Sequence, residues 1–254
     1  MKIYKRKRTK IIYGDCIEVL SNYIQDNSVD LIFVDPPYNI GKQFSNFTDK
    51  WSSNEKYLKW CFKWIDLCIK KLKSNGSMYI MCSTQNSAFI DIYLRNKITI
   101  LSRIIWYYDS SGMQAKKYYG SLYEPIFYCV KNSKNYIFNS NDILIEAKTG
   151  AKRKLIDYRK KEPKQYNSTK VPGNVWEFPR VRYRMNEYRN HPSQKPEILL
   201  ERITKASSNK GDTILDPFSG TFVTCAVAQK LKRKSIGIDN QKEYVKIGLK
   251  RLKI

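Results

Sequence analysis

Histidine is all but missing from this 254-residue chain. His191 stands alone, which excludes a histidine-rich metal site. The six cysteines, Cys16, Cys61, Cys68, Cys82, Cys129 and Cys225, form no C-x-x-C pair. That argues against a zinc site and for a reduced protein. No apolar run approaches the ~20 residues of a membrane-spanning helix. The basic start lacks the apolar core of a signal peptide, because Gly14, Asp15 and Glu18 interrupt it. No G-x-G-x-x-G follows a strand, which argues against a nicotinamide dehydrogenase. Together these absences predict a cytoplasmic protein without a metal.

Acid is scarce too. Asp and Glu number 23 against 47 Lys and Arg, a formal charge of +24. Such a balance disfavours an acidic small-molecule enzyme or a bare scaffold. It points to a polyanionic partner: DNA, RNA or a membrane surface. Part of the excess has another source. Lys, Ile, Asn and Tyr are abundant throughout, as codon bias in an AT-rich genome produces. At 42 % hydrophobic and 13 % aromatic, the chain has enough apolar material for a core. Its length suits one domain, or one domain with a sizeable insertion.

Two segments share a grammar. Residues 29–38 read VDLIFVDPPY, and residues 213–220 read TILDPFSG. Each is an apolar run that ends in Asp-Pro. Continuous apolar strands are buried on both faces, as in parallel sheets. Proline cannot donate to a ladder, so each strand stops at its Asp. Both carboxylates then stand at the carboxyl edge of a sheet, where open α/β sheets bind ligands. Apolar periodicity predicts a helix over 55–73, with Gly76 as its stop and Cys61 and Cys68 on its core face. Strands are predicted over 77–81, 98–108, 122–130 and 235–239. Further helices are predicted over 196–207, 223–231 and 241–253. Strands alternating with helices mean an α/β fold with a mainly parallel sheet.

The residues Asp35-Pro36-Pro37-Tyr38 suggest a specific chemistry. The exocyclic amino group of a nucleobase is a poor nucleophile, because its lone pair is conjugated into the ring. A carboxylate and a backbone carbonyl, both acceptors, can bind its two N–H groups and draw the nitrogen toward a tetrahedral form. Pro36 supplies a carbonyl of fixed direction. Tyr38 supplies a face for the base, and such a stack is worth ~1–3 kcal/mol. A base reaches such a pocket only when flipped out of the duplex. The same residues also suit a strand-ending turn with the tyrosine packed on it.

VDLIFVDPPY resembles the catalytic motif of S-adenosylmethionine-dependent amino-methyltransferases. LDPFSGT resembles their cofactor loop, D-P-F-x-G-S-G-T; IGIDN at 236–240 resembles the following strand, and HPSQKP at 191–196 the block before the loop. Gly14-Asp15, GSMYI at 76–80, WYYDSSG at 106–112 and VWEFP at 175–179 extend the likeness over nearly the whole chain. Catalytic motif first and cofactor loop last is the order of the β group of DNA amino-methyltransferases. The likeness is closest to the solitary adenine methyltransferases of enteric bacteria and their relatives.

The resemblance implies a Rossmann-like methyltransferase fold: a mainly parallel seven-stranded sheet with helices on both faces, in circularly permuted motif order. It implies transfer of a methyl group from S-adenosylmethionine to adenine N6 in double-stranded DNA. Asp35, Pro36, Pro37 and Tyr38 are then catalytic. Asp216, Pro217, Phe218, Ser219, Gly220, Thr221 and Thr224 cradle the methionine part of the cofactor. Asp239, with Asn240 beside it, takes the ribose hydroxyls. Asp15, with Cys16, meets the cofactor adenine. His191, Ser193, Lys195 and Pro196 close the pocket, near Asp35, over the methionine end. His191 is expected to be a pocket or structural residue, since the family mechanism needs no histidine base. The chain departs from the loop pattern at Phe222 and Val223, where relatives carry Gly and Thr. Phe222 then either turns into the core or packs beside the cofactor.

The stretch 148–190 has no clean period, is rich in Lys and Arg, and is interleaved with tyrosines. It occupies the place of the family's target-recognition segment. The domain reading is therefore 1–147 and 191–254 as two halves of one domain, with 148–190 inserted. Lys148, Lys152, Arg153, Arg159, Lys170, Arg180, Arg182 and Arg184 are the candidate DNA contacts. Ser110, Ser111 and Gly112 read as a turn that touches DNA. A DNA partner makes the protein nucleoid-associated, and a homodimer stays open because relatives are often dimers. Cytosine-N4 or RNA amino-methylation, or DNA binding by a decayed site, are the alternatives. The Asp at the motif's first position favours adenine, since cytosine-N4 relatives usually carry Ser there.

Overall fold

The computed structural model describes all residues except 45–46, 110–115, 149–152 and 160. The chain runs β1 (Lys2–Arg6), β2 (Thr9–Tyr13), α1 (Cys16–Asn22), β3 (Val29–Val34), α2 (Asn54–Lys71), β4 (Leu72–Met81), α3 (Ser87–Arg95), β5 (Thr99–Tyr107) and β6 (Tyr123–Val130). Four two-residue strands follow: β7 (Ile145–Glu146), β8 (Ile156–Asp157), β9 (Lys164–Gln165) and β10 (Thr169–Lys170). The chain ends with β11 (Val175–Glu177), α4 (Glu197–Ser207), β12 (Thr213–Asp216), α5 (Val223–Lys230), β13 (Lys234–Asp239) and α6 (Lys242–Leu252).

The main sheet has the order β1-β2-β13-β12-β3-β4-β6-β5-β11. It is mainly parallel; β1 pairs antiparallel with β2, and β6 antiparallel with β4 and β5. All six residues of β3 are buried, as its apolar run requires, and the one acid in it, Asp30, is paired with Lys73 and the Thr213 N–H. Alternate side chains serve opposite faces. Ile32 and Val34 join Val19, Leu20, Trp64 and Cys68 of α1 and α2. Leu31 and Phe33 join Leu199, Ile203, Val223 and Val227 of α4 and α5. All six cysteines are buried and free. Burial pushes the Cys61 thiol up to about 12, which suits a core residue rather than a reactive one.

The sheet has nine strands where the resemblance implied seven. β1, KIYKR, is exposed on nearly every residue and shows no apolar alternation, so only its pairing with β2 makes it a strand. β11 is three residues long and pairs in parallel with β5 from inside the basic stretch. Gly76 is not a helix stop: α2 ends at Lys71, and Gly76 lies within β4. A Cβ there would stand 2.8 Å from the Leu72 side chain and 3.0 Å from the Asp30 carbonyl, so its place is set by close approach of β3 and β4. Among the described residues, no helix is long and apolar enough to cross a membrane.

Within 148–190 the described backbone forms little regular structure. β8 pairs with β9, and β10 pairs with β7, in two small sheets.

Candidate active site

The topology gathers the site at one sheet edge. β3, β12 and β13 are parallel and end at Val34, Asp216 and Asp239. β2 is parallel to β13, so Gly14 and Asp15 emerge beside Asp239, and the Gly14 N–H donates to the Asp239 carbonyl at 3.1 Å. β6 runs the other way and brings Glu124, near its start, to the same edge. Together they line a cavity of about 350 Å³.

At one end stands the Asp-Pro-Pro-Tyr segment. Asp35 Oδ2 receives the Lys195 ammonium at 2.8 Å, and Oδ1 receives the Tyr38 hydroxyl at 2.7 Å. Burial raises the Asp35 carboxyl, Lys195 opposes that, and Glu124 adds to it. The Pro37 carbonyl accepts from the Tyr57 hydroxyl of α2 at 2.9 Å. Pro36 lines the cavity beside Asp35, and its carbonyl takes no hydrogen bond among the described residues. Asp35 and a proline whose carbonyl is unpaired are thus neighbours in the cavity lining. The Tyr38 N–H is held by buried Asp49 at 3.1 Å, which also accepts from the Lys42 N–H.

The β12–α5 loop forms another wall. Asp216 Oδ1 accepts from the Phe218 N–H at 3.0 Å, and Oδ2 from the Thr224 hydroxyl at 2.6 Å. Those bonds hold the loop's shape, against burial that pushes the carboxyl up to about 7. Gly220 has φ +49°, and a Cβ there would stand 3.0 Å from the His191 ring, so glycine is required twice over. Phe222 is fully buried and packs with Ile11, Cys225 and Val245, which resolves the alternatives in favour of the core. Ser219, Pro217 and Thr221 line the cavity with Phe218.

Asp239 accepts from the Gly220 N–H at 2.9 Å and the Gln241 N–H at 2.8 Å. Burial pushes its carboxyl up to about 7, with those two N–H groups opposing. Asp15 caps α1 through Oδ1, which accepts from Ile17 and Glu18. Cys16 and Asn240 line the cavity near it. His191 accepts the Ser193 N–H on Nδ1 at 3.2 Å and meets the Tyr244 ring edge-on at 4.4 Å. Burial, and then the charges of Lys195 and Lys42, push its pKa down to about 3. A neutral imidazole already accepting on Nδ1 has no free base nitrogen, in keeping with a structural reading. Ser193 lines the cavity, whereas Pro196 lies just outside it as the cap residue of α4.

Lys195 is buried between two carboxylates, Asp35 and Glu124 at 3.4 Å. Burial pulls its pKa down, but both carboxylates outweigh that and hold it above its usual value. The expectation that it closes over the methionine end did not foresee this pairing. Glu124, Lys42, Asp49, Trp60 and Tyr244 also line the cavity and were not found from the sequence. Glu124 alone carried a signal: an acid opening an otherwise apolar run, YEPIFYCV.

The basic candidates divide. Arg180 lies over the Tyr108 ring at 5.1 Å, and Tyr108 reaches Glu124 at 3.3 Å. Arg182 donates to the Asp109 carbonyl at 3.2 Å, just past β5. Arg180 is therefore one ring away from the site, and Arg182 sits at the end of β5. Arg184 is exposed beside Tyr183. Lys148, Arg153 and Lys170 are exposed on and around the small sheets. Arg159 is held by Asp157 through two bonds, at 2.8 and 3.1 Å, so its charge is already matched. Lys152, Ser110, Ser111 and Gly112 lie outside the described residues. No group of acids, cysteines and histidines suited to a metal occurs among the described residues.

The fold and this edge have known counterparts. The chain is 58 % identical over 244 residues to the DNA adenine methyltransferase YhdJ of Escherichia coli (strain K12), covering 96 % of this chain and 82 % of that one. It is 35 % identical over 245 residues to the type II methyltransferase M.HpaI of Haemophilus parainfluenzae, covering 96 % and 74 %. Among solved structures, the M1.HpyAVI–SAM complex matches with a TM-score of 0.67 at 25 % identity, over 97 % of this chain and 100 % of that one. The cytosine-N4-specific PvuII DNA methyltransferase shares the fold, with a TM-score of 0.73 at 16 % identity, over 98 % and 87 %. The N6/N4 family model, described as DNA methylase, matches residues 29–250. The chain belongs to the N6/N4 DNA methylase family.

Proposed function

We propose that the protein transfers a methyl group from S-adenosylmethionine to the N6 amino group of adenine at a specific sequence in duplex DNA, with the target base flipped out. The carrying observation is Asp35 and Pro36 side by side in the cavity lining, the proline with its carbonyl unpaired. An amino group has two N–H donors, and this pair suits both. As the amine attacks, its nitrogen becomes cationic, and the adjacent Asp35 carboxylate stabilises that charge. Tyr38 offers its ring to the base. The kinship with an adenine enzyme, together with Asp35 at the motif's first position, favours adenine over cytosine.

The donor set of the cavity fits S-adenosylmethionine. When bound, the cofactor supplies an electrophilic methyl on a sulfonium. Asp239 is placed for the ribose diol, Asp15 Oδ2 for the adenine amino group, and the 216–221 loop for the methionine part, where Gly220 lets backbone approach. A hydroxyl pair binds a carboxylate better than a carboxylic acid. Because burial pushes the Asp239 carboxyl up to about 7, cofactor affinity is expected to rise with pH up to about 7. Below that value each unit of pH costs about tenfold, since one proton must leave on binding. Calorimetry between pH 5.5 and 8.5 checks this; Asp239→Asn weakens binding and reduces the dependence to the part carried by Asp216, whose carboxyl burial also pushes up to about 7.

Residues 148–190 are assigned to target recognition, with Arg180 and Arg182 nearest the reacting base. Removing one phosphate contact, as in Arg182→Ala, is expected to lower the salt slope of DNA binding by about one unit. Lys246→Ala, on the exposed face of α6, leaves the slope unchanged. Long-read modification mapping of DNA from cells expressing the protein tests the whole reading. The expected result is N6-methyladenine at one short motif. N4-methylcytosine, methylated RNA alone, or no mark at all would overturn it.

A further inference from the structure

Glu124 faces the Asp35 carboxylate across two shared donors. The Tyr38 hydroxyl stands 2.7 Å from Asp35 Oδ1 and 2.9 Å from Glu124 Oε2. The Lys195 ammonium stands 2.8 Å from Asp35 Oδ2 and 3.4 Å from Glu124 Oε2. A phenol has one proton and gives it to one carboxylate at a time. Rotation about its C–O bond moves that proton between the two acids without moving a heavy atom. While it points at Asp35, it competes with an arriving amine for the same oxygen. Lys195 competes likewise at the other oxygen.

Glu124 itself is held in place. It pairs in register with Trp106 of β5, and its other oxygen takes the Tyr108 hydroxyl at 3.3 Å. Its side chain is 18 % exposed, so water is a poor substitute partner for the phenol.

Resting on the activity proposed above, we propose that Glu124 is a positioning residue. It accepts the Tyr38 proton and shares the Lys195 charge, so that Asp35 is left as the stronger acceptor for the target amine. The same bond tethers the Tyr38 ring as a stacking face. Glu124 touches neither base nor cofactor in this role and acts only through Asp35 and Tyr38.

The test is single-turnover methyl transfer from labelled S-adenosylmethionine to DNA from a strain without adenine methylation. Glu124→Ala is expected to slow transfer roughly 10- to 100-fold, the worth of a hydrogen bond to a charged group, with cofactor affinity by calorimetry little changed. Adding Tyr38→Phe removes the donor that then stays on Asp35. The double variant is therefore expected to be faster than Glu124→Ala alone. Glu124→Gln keeps the shape of the side chain, and its neutral amide is the weaker acceptor. It is expected to be slowed less, and to be rescued likewise by Tyr38→Phe. A Glu124→Ala enzyme as fast as wild type, or a double variant no faster than the single in both backgrounds, would overturn the proposal. Absence of transfer by the wild-type protein would instead refute the activity on which it rests.

Discussion

Asp35→Ala is expected to abolish methyl transfer, by at least roughly 10³-fold, while S-adenosylmethionine still binds. The carboxylate is the negatively charged acceptor next to Pro36 in the chain, and the amine nitrogen becomes cationic as it attacks. Without Asp35 that charge develops beside the Lys195 ammonium, which the carboxylate now holds at 2.8 Å. Asp35→Asn is expected to fare little better. Its amide oxygen turns to Lys195, and its N–H₂ then faces the N–H groups of the amine, donor against donor. The cofactor walls, Asp15, Asp239 and the 216–221 loop, stay in place in both variants. Calorimetry with S-adenosylmethionine and filter-binding of labelled DNA product separate the two effects. Transfer at the wild-type rate by Asp35→Ala would remove the amine-binding role.

The largest effect on stability is expected at Phe222. Phe222→Ala should cost about 3–5 kcal/mol, the usual loss for a fully buried phenylalanine. In a chain of this size that is a fall of roughly 6–20 °C in Tm. The ring fills space made by two glycines on other elements. A Cβ at Gly237 of β13 would stand 2.6 Å from its Cδ1, and one at Gly248 of α6 would collide with it outright. Phe222 also holds φ +57°, a left-handed conformation that costs a side-chain residue about 1 kcal/mol. Phe222→Gly should relieve that strain by about 0.4–1 kcal/mol and still lose the ring. It is therefore expected to remain well below wild type in a thermal melt, though above Phe222→Ala.

The parts of the site that were legible in the sequence are those set by local rules. An apolar run stopped by Asp-Pro predicts a buried strand with its acid at the ligand edge, and β3 and β12 follow that rule. The bounds of α2, α4, α5 and α6 came within a few residues, whereas the shorter α1 and α3 were not read at all. What was not legible depends on residues far apart in sequence. Glu124 meets Tyr38 across 86 positions, a pairing made by the antiparallel turn of β6 against β4. Lys195 was placed at the pocket by its motif, HPSQKP, but only the packed cavity shows that it is buried between two carboxylates. β1 and the two-residue strands of the basic stretch have no apolar period, so pairing alone defines them. The roles of Phe222 and Gly248 were hidden for a related reason: a cavity and the ring that fills it lie on different elements.

The order of the sheet bears on how the protein is made. β3, formed early in the chain, has β12 as one neighbour, and the Thr213 N–H closes on Asp30 across 183 residues. Until residues 213–239 have left the ribosome, one edge of this wholly buried strand has no partner, and the β1–β2 hairpin has no sheet to join. A nascent chain that already carries Asp35 and Tyr38 therefore cannot yet assemble the opposite wall of the cavity. It also presents an apolar strand edge of the kind that pairs with other chains.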